Sequence, residues 1–169
     1  DRVMALLDPF NPAVATDHVQ FITSKTKLYA TTLSHVNFVV GDSDWEIAFA
    51  EILERHPATI AYVKNQGLGF EVPYLEASVQ RMYRPDFVVL VDDGRGRDDP
   101  LNLVVEIKGE RDTTDQIKAE TMRNLWVPGV NNLGTYGRWA FMELADKYGL
   151  EADYANGLRN LTGTNQPAE

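Results

Sequence analysis

Tyr83-Arg84-Pro85-Asp86-Phe87-Val88-Val89-Leu90-Val91 is followed, after a hydrophilic link from Asp92 to Pro100, by Leu101-Asn102-Leu103-Val104-Val105-Glu106-Ile107-Lys108-Gly109. Both segments are apolar runs rich in β-branched residues and bounded by turn formers, the pattern of strands. The link carries Gly94, Gly96 and Pro100 and is short enough for a hairpin, so the strands should pair antiparallel. Side chains alternate faces along a strand, which puts Glu106 and Lys108 on the same side. Asp86, near the start of one strand, then lies close to Glu106, near the end of its partner. Three charged side chains converge on one edge of an otherwise apolar sheet.

The flanking sequence supplies the rest of the sheet and its helices. Residues 1–27 have no clear period and contain Pro9 and Pro12, so they read as a linker or docking arm. Lys27–Thr32 and His35–Val40 read as short strands joined near Leu33 and Ser34. Ser43 opens a helix whose buried face is Trp45, Phe49, Ile52 and Leu53, and Pro57 ends it. Thr59–Lys64 and Leu68–Tyr74 read as strands around the turn Asn65-Gln66-Gly67, with the next strand at Arg84–Val91. Beyond the second quoted segment, Thr114–Leu125 reads as a helix and Pro128–Gly137 as a loop. Arg138–Tyr148 reads as a last helix capped by Gly149, and residues 161–169 as a disordered tail. A helix, a run of strands and then helices give an α/β class: a mixed sheet with helices on its faces, spanning residues 28–160.

Charge within apolar strands requires a partner, because an unpaired buried charge costs several kcal/mol, roughly, or is neutralised. Two neighbouring carboxylates repel, and a divalent ion relieves that repulsion. The 169 residues include no cysteine, and His18, His35 and His56 have no metal-ligand spacing. Any ligands are therefore oxygens, which select Mg2+ or Mn2+. Such an ion lowers the pKa of a bound water and stabilises charge on a phosphate, beside which Lys108 is suited to sit. The competing structural reading is a buried salt bridge between Lys108 and one carboxylate, with Pro85-Asp86 as an ordinary turn.

Composition narrows the setting. A net charge of −9 argues against a stand-alone DNA-coating protein, though not against an enzyme acting on nucleic acid. No apolar run is long enough to span a membrane. Asp1–Pro9 lack the basic start and long apolar stretch of a signal peptide, and the absence of cysteine fits a reducing cytoplasm. The first residue is not Met, so a fragment of a larger polypeptide, or a processed start, is expected. No phosphate-cradling GxxxxGK[ST] loop is present, so the chain itself is not expected to use ATP.

Pro85-Asp86 followed by Glu106-Ile107-Lys108 resembles the PD-(D/E)xK nuclease superfamily. More closely, the chain resembles the C-terminal endonuclease domain of type III restriction enzyme Res subunits. The matching stretches are Ser43-Asp44-Trp45-Glu46, Val63-Lys64-Asn65, Leu68-Gly69-Phe70-Glu71-Val72-Pro73-Tyr74 and Tyr83-Arg84-Pro85-Asp86-Phe87. They continue through Val105-Glu106-Ile107-Lys108-Gly109 and Trp126-Val127-Pro128-Gly129-Val130-Asn131, covering about residues 20–148. The resemblance implies a restriction-endonuclease-like mixed sheet and magnesium-dependent cleavage of double-stranded DNA. It makes Asp86, Glu106 and Ile107 the metal-ligand positions and Lys108 the catalytic lysine. It also implies a larger polypeptide with an ATP-driven helicase motor that is missing from this chain, a separate modification methyltransferase subunit, and a bacterial or archaeal cytoplasm.

Further candidates surround this core. Glu46 lies on the first helix, where the superfamily often places another acid; Ser43-x-x-Glu46 is equally a capping box. Gln116 and Lys118 lie on the helix after the second quoted strand, a region that often contacts phosphate in the superfamily, or they form a solvated helix face. Lys64, at a strand end, could touch DNA backbone or protect a strand edge. Trp45, Trp126 and Trp139 read as core packing rather than base-stacking platforms. Two functions of different class follow: a metal-dependent DNA endonuclease, or a DNA-docking or subunit-assembly module that does not cut. Nothing in the sequence excludes a third reading, the same chemistry on a branched junction or RNA.

Overall fold

The computed structural model describes residues 27–108 and 112–162. The expected arm therefore lies outside the described residues apart from Lys27, as does the expected tail from residue 163 on. Leu161 and Thr162, placed in that tail, close the last helix instead.

The chain is a mixed α/β protein. Strands β1 (Leu28–Ala30) and β2 (Phe38–Val40) form a small antiparallel pair, followed by helix α1 (Asp44–Arg55) and strand β3 (Thr59–Lys64). A hairpin of β4 (Val72–Glu76) and β5 (Val79–Tyr83) leads to β6 (Phe87–Val91) and β7 (Leu101–Ile107). Helix α2 (Thr113–Thr121) runs through a π-type turn (Met122–Trp126) into α3 (Val127–Leu133). Strand β8 (Arg138–Leu144) and helix α4 (Leu150–Thr162) complete the order. The central sheet runs β3-β6-β7-β8, antiparallel except for the parallel β7–β8 pair.

Alternation along these strands builds a core on each face. Phe87, Val89, Leu103, Val105, Met142 and Leu144 face α1 and α4, where Phe49 packs edge-on between Phe87 and Tyr154, with both centroid distances 5.3 Å. Val63, Val104, Phe141 and Trp139 face the other side, against Tyr83, Met122, Trp126 and Val130. Trp126 and Trp139 are thus packing residues, 5.2 Å apart edge to face. Among the described residues, no helix is long and apolar enough to cross a membrane.

Three expectations require correction. Arg138–Leu144 is a strand, not part of a helix. Ala140, Met142 and Leu144 enter one core while Trp139 and Phe141 enter the other, so the segment is apolar on both faces and its two-residue period is masked. Arg138 anchors its start with a bidentate pair to Asp93 (2.6 and 2.8 Å) and a 3.1 Å bond to Asp99, both from the β6–β7 link.

Pro128–Gly137, expected as a loop, is largely α3, which ends at Gly134 in the left-handed region (φ 69°). Proline has no N–H and crowds the carbonyl four residues back. The preceding π-type turn, in which the Val127 N–H bonds the Met122 carbonyl, widens the helix where that conflict falls. Strand β5 and helix α4 also went unforeseen, and Gly149 stands at the start of α4, where its carbonyl accepts from the Asp153 N–H, rather than closing the end of a helix.

Candidate active site

The last paired position of the two central strands is Phe87 opposite Val105. One step further, Asp86 Oδ2 accepts a hydrogen bond from the Ile107 N–H at 2.8 Å. Asp86 is therefore fastened to the backbone of the strand that carries Glu106 and Lys108. Its own position is set from behind by Asn65, whose N–H reaches the Asp86 carbonyl at 2.8 Å. The Asn65 side-chain amide donates to the Pro85 and Phe70 carbonyls at 2.9 and 2.7 Å. Asp86, Glu106 and Lys108 share the sheet face covered by the hairpin and α2, as alternation requires.

Glu106 is 7% exposed, and both its oxygens are engaged. Tyr83, at the end of β5, donates its hydroxyl to Oε2 at 2.6 Å, and the Lys108 ammonium meets Oε1 at 2.7 Å. Lys108 also reaches Asp115 Oδ1 at 2.7 Å, in the first turn of α2. The same Asp115 oxygen holds Lys118 at 3.3 Å, and Lys118 lies 5.8 Å from the centroid of the Tyr83 ring. Glu143 on β8 stands opposite Glu106 in the parallel register and adds a further acid to this face.

These contacts set the protonation states. Burial, together with the neighbouring Glu106 charge, pushes the Asp86 carboxyl up to about 7 against the opposing Ile107 N–H bond. Burial and Glu106 push the Tyr83 phenol far above its ordinary range, so it remains a neutral donor. For Lys108, burial favours the neutral amine, but hydrogen bonds to Asp115 and Glu106 outweigh it and the pKa rises. Lys108 is therefore a cation at neutral pH and not a free base. Burial would raise Asp115, but the hydrogen bonds and charges of Lys108 and Lys118 together outweigh it and hold the carboxyl below its usual value.

The donor set fits a hard divalent ion. Asp86 Oδ1 has no hydrogen bond among the described residues, and an ion between two carboxylates would remove the repulsion that raises the Asp86 pKa. Magnesium usually takes only one or two protein carboxylates and keeps its other positions for water and phosphate. Among the described residues, no group of three or more His, Asp or Glu forms a closed metal cage. Ile107 has an apolar side chain packed on the first core, so only its main-chain carbonyl can serve as a ligand.

The outlying candidates fall in different places. Glu46 is buried and completes the capping box with Ser43. Its Oε2 accepts from the backbone N–H groups of Asp42 and Ser43 and lies 3.3 Å from Lys64. Its charge also reaches Asp86, where it helps raise the pKa. Gln116 is exposed on α2, and Lys118 is partly exposed beside Asp115.

Lys64 is 6% exposed, and its ammonium binds the Val40 carbonyl at 2.9 Å and Asp42 at 2.8 Å. The expectation of a lysine at a strand end, open to DNA backbone, is corrected: this amine is committed inside the fold, on the α1 face of the sheet. Tyr83, Asp115, Asn65 and Glu143 were not foreseen. The first three read as ordinary strand, helix and turn residues, and Glu143 was placed on a helix.

Glu46→Gln separates its two roles. Gln keeps the acceptor for Ser43 and Asp42 but removes the charge, whereas Ala removes both. Chemical unfolding should find Glu46→Ala less stable by about 1 kcal/mol and Glu46→Gln close to the parent. If the charge serves Asp86 and its metal, Glu46→Gln should be stable but slow, and slower still at low magnesium. Parent-like cleavage across a magnesium titration would remove Glu46 from the site. Comparison of the chain with family models, curated proteins and solved structures finds no match.

Proposed function

We propose that this chain is a metal-dependent DNA endonuclease domain of the PD-(D/E)xK type, resembling the cleavage domain of type III restriction enzymes. The observation that carries the reading is the Asp86–Ile107 hydrogen bond. It fixes the acid just before β6 beside Glu106 of β7, with Lys108 on the same face. Glu106 on a central strand, with Asp86 and Lys108 at the adjoining ends of the two central strands of a mixed sheet flanked by helices, supports a restriction-endonuclease-like fold.

In this reading Asp86, Glu106 and the Ile107 carbonyl would hold Mg2+ or Mn2+. The bound ion supplies an acidified water and charge stabilisation on the phosphate. Lys108, cationic and held between Glu106 and Asp115, orients that water and the scissile phosphate. Tyr83 keeps the Glu106 carboxylate in one orientation. Gln116 and Lys118, on α2, approach the flanking backbone of double-stranded DNA. The remainder of a Res-type polypeptide with its ATP-using motor, the methyltransferase subunit and a cytoplasmic setting belong to the same proposal.

Supercoiled plasmid incubated with the chain and Mg2+ or Mn2+ should become nicked and then linear, while Ca2+ should support binding without efficient cutting. Plasmid left intact with every metal overturns the reading in favour of a docking module. One observation favours that alternative: Lys108, Lys118, Arg81 and Arg84 around the site are all paired with carboxylates, leaving few cations for phosphate.

Tyr83→Phe tests the positioning of Glu106. Removing one hydroxyl from a buried carboxylate leaves an acceptor unsatisfied, at roughly 1–3 kcal/mol. Calorimetry should show weaker Mn2+ binding and plasmid assays a higher metal requirement, with cleavage restored at saturating metal. An unchanged metal requirement removes Tyr83 from the site.

A further inference from the structure

The end of the sheet that carries Asp86 and Glu106 has a second side. Strand β8 runs parallel to β7 in the register Ile107–Leu144, and the Lys108 N–H bonds the Leu144 carbonyl at 2.8 Å. The residues that follow Leu144 therefore emerge at the same end of the sheet as the carboxylates. The turn there is tightly built. Asp146 accepts from the Tyr148 N–H through its side chain (3.0 Å) and from the Gly149 N–H through its carbonyl (3.1 Å). Its own N–H bonds Asp153 of α4 at 3.1 Å. A side chain on Gly149 would meet Asp146 Oδ2 at 2.5 Å, so Asp146 would have to move from its place in the turn.

This fixed turn presents Tyr148 at 90% exposure, the most exposed of the large apolar side chains described. Beside it, the Lys147 ammonium lies 4.7 Å from the centroid of the Trp45 ring and 5.1 Å from that of Tyr148. Lys27, Lys64, Lys108 and Lys118 each pair with a carboxylate; among the described residues, Lys147 is the one lysine that does not. In a chain of net charge −9, a cation held by two rings and no acid is unusual. Trp45 also precedes Glu46 directly, so the aromatic backing of Lys147 belongs to the helix turn whose acid reaches Asp86.

We propose that Lys147 and Tyr148, backed by Trp45, form a nucleotide-binding step on the rim of the carboxylate site. The Tyr148 ring stacks on an unpaired base of a DNA strand, and the Lys147 ammonium meets that nucleotide's phosphate. Stacking tolerates any base, because every base has a π-face, and an ammonium already held by rings is oriented without a competing carboxylate. The proposal rests on the nuclease reading for the identity of its ligand but not for its geometry.

The test is fluorescence anisotropy of a short labelled DNA single strand, and of the same strand in a duplex, with the full chain at low salt in EDTA. Tyr148→Ala should weaken single-strand binding about tenfold and leave the duplex nearly unchanged, while Tyr148→Phe should bind like the parent. Lys147→Ala should weaken both and reduce the salt slope by about 0.7, one phosphate contact on a single strand. Parent-like binding by Tyr148→Ala and Lys147→Ala, or no binding by the parent, overturns the proposal. Equal loss on strand and duplex with Tyr148→Ala overturns the stacking role. Loss of binding at Lys147 and Tyr148 in a chain that cuts nothing would uphold this site and sink the nuclease reading; cutting with unchanged binding would do the reverse.

Discussion

Asp86→Asn should lower plasmid cleavage at least about a hundredfold to a thousandfold, the scale of removing one essential electrostatic group from an active site. The substitution is chosen for its geometry. An asparagine carbonyl still accepts the hydrogen bond that Ile107 gives to Asp86, so the β6–β7 fastening survives while the charge is lost. Glu106→Gln should be equally inactive but is a less clean variant. Glu106 receives a donor on each oxygen, Tyr83 on one and Lys108 on the other. A glutamine amide can accept only one of them and turns its NH2 towards the second, so some stability is lost as well. Single-turnover plasmid assays across a magnesium range, read beside circular dichroism, distinguish the two effects. Cleavage at the parent rate by folded Asp86→Asn overturns the site assignment.

Legibility in the sequence followed the physics of each segment. The β6–β7 hairpin was readable because both strands are apolar runs rich in β-branched residues and the link between them is rich in turn formers, and with it came the shared face of Asp86, Glu106 and Lys108. Helix α1 was readable from the Ser43-x-x-Glu46 cap and from Phe49, Ile52 and Leu53, which all enter the core. Strand β8 was not, because apolar side chains on both faces erase the difference between a two-residue and a helical period. A strand was expected at Leu68–Tyr74, overlapping β4, but its hairpin with β5 was hidden for another reason. Its turn residues, Ala77 and Ser78, have φ of 48° and 68°, a conformation usually announced by Gly, Asn or Asp.

Within the site, the acids were legible because charge inside apolar strands is conspicuous. Their partners were not: nothing local marks Tyr83 as a donor to a carboxylate more than twenty residues later, or Asp115 as the counter-charge to Lys108. Such contacts exist only once the hairpin and α2 close over the sheet. Lys64 shows the converse. A lysine at a strand end reads as exposed, yet α1 and the loop before it bring Asp42 and Glu46 to its amine.

The stability of the metal-free protein should fall as pH rises from about 4 to about 8, and Asp86→Asn should remove most of that fall. The folded state holds the Asp86 proton up to about 7, whereas the unfolded chain releases it near the ordinary value of about 4. Between those limits the folded state binds more protons, so stability contributed by protonated Asp86 is present at low pH and lost as pH rises through 7. The full swing is about 4 kcal/mol if the whole shift is expressed.

Other groups act in the same range or below it, with opposite sign. His56 is lowered by burial, against the raising charge of Glu151, so its neutral form adds stability as pH rises through its window. Asp115 and Glu54 are lowered despite burial, and their contributions are lost only on acidification below the ordinary carboxylate range. Subtracting the Asp86→Asn profile from that of the parent cancels all three and leaves Asp86 with the neighbours its charge reaches, Glu106 first among them.

Urea unfolding in EDTA should therefore find Asp86→Asn more stable than the parent at about pH 8 and nearly equal at about pH 4. Magnesium at the higher pH should narrow the gap by stabilising the parent alone. A constant difference between the two proteins from pH 4 to 8 would show that Asp86 ionises as freely in the folded protein as in the unfolded chain. The close, buried pairing with Glu106 would then have no energetic consequence for a metal to relieve.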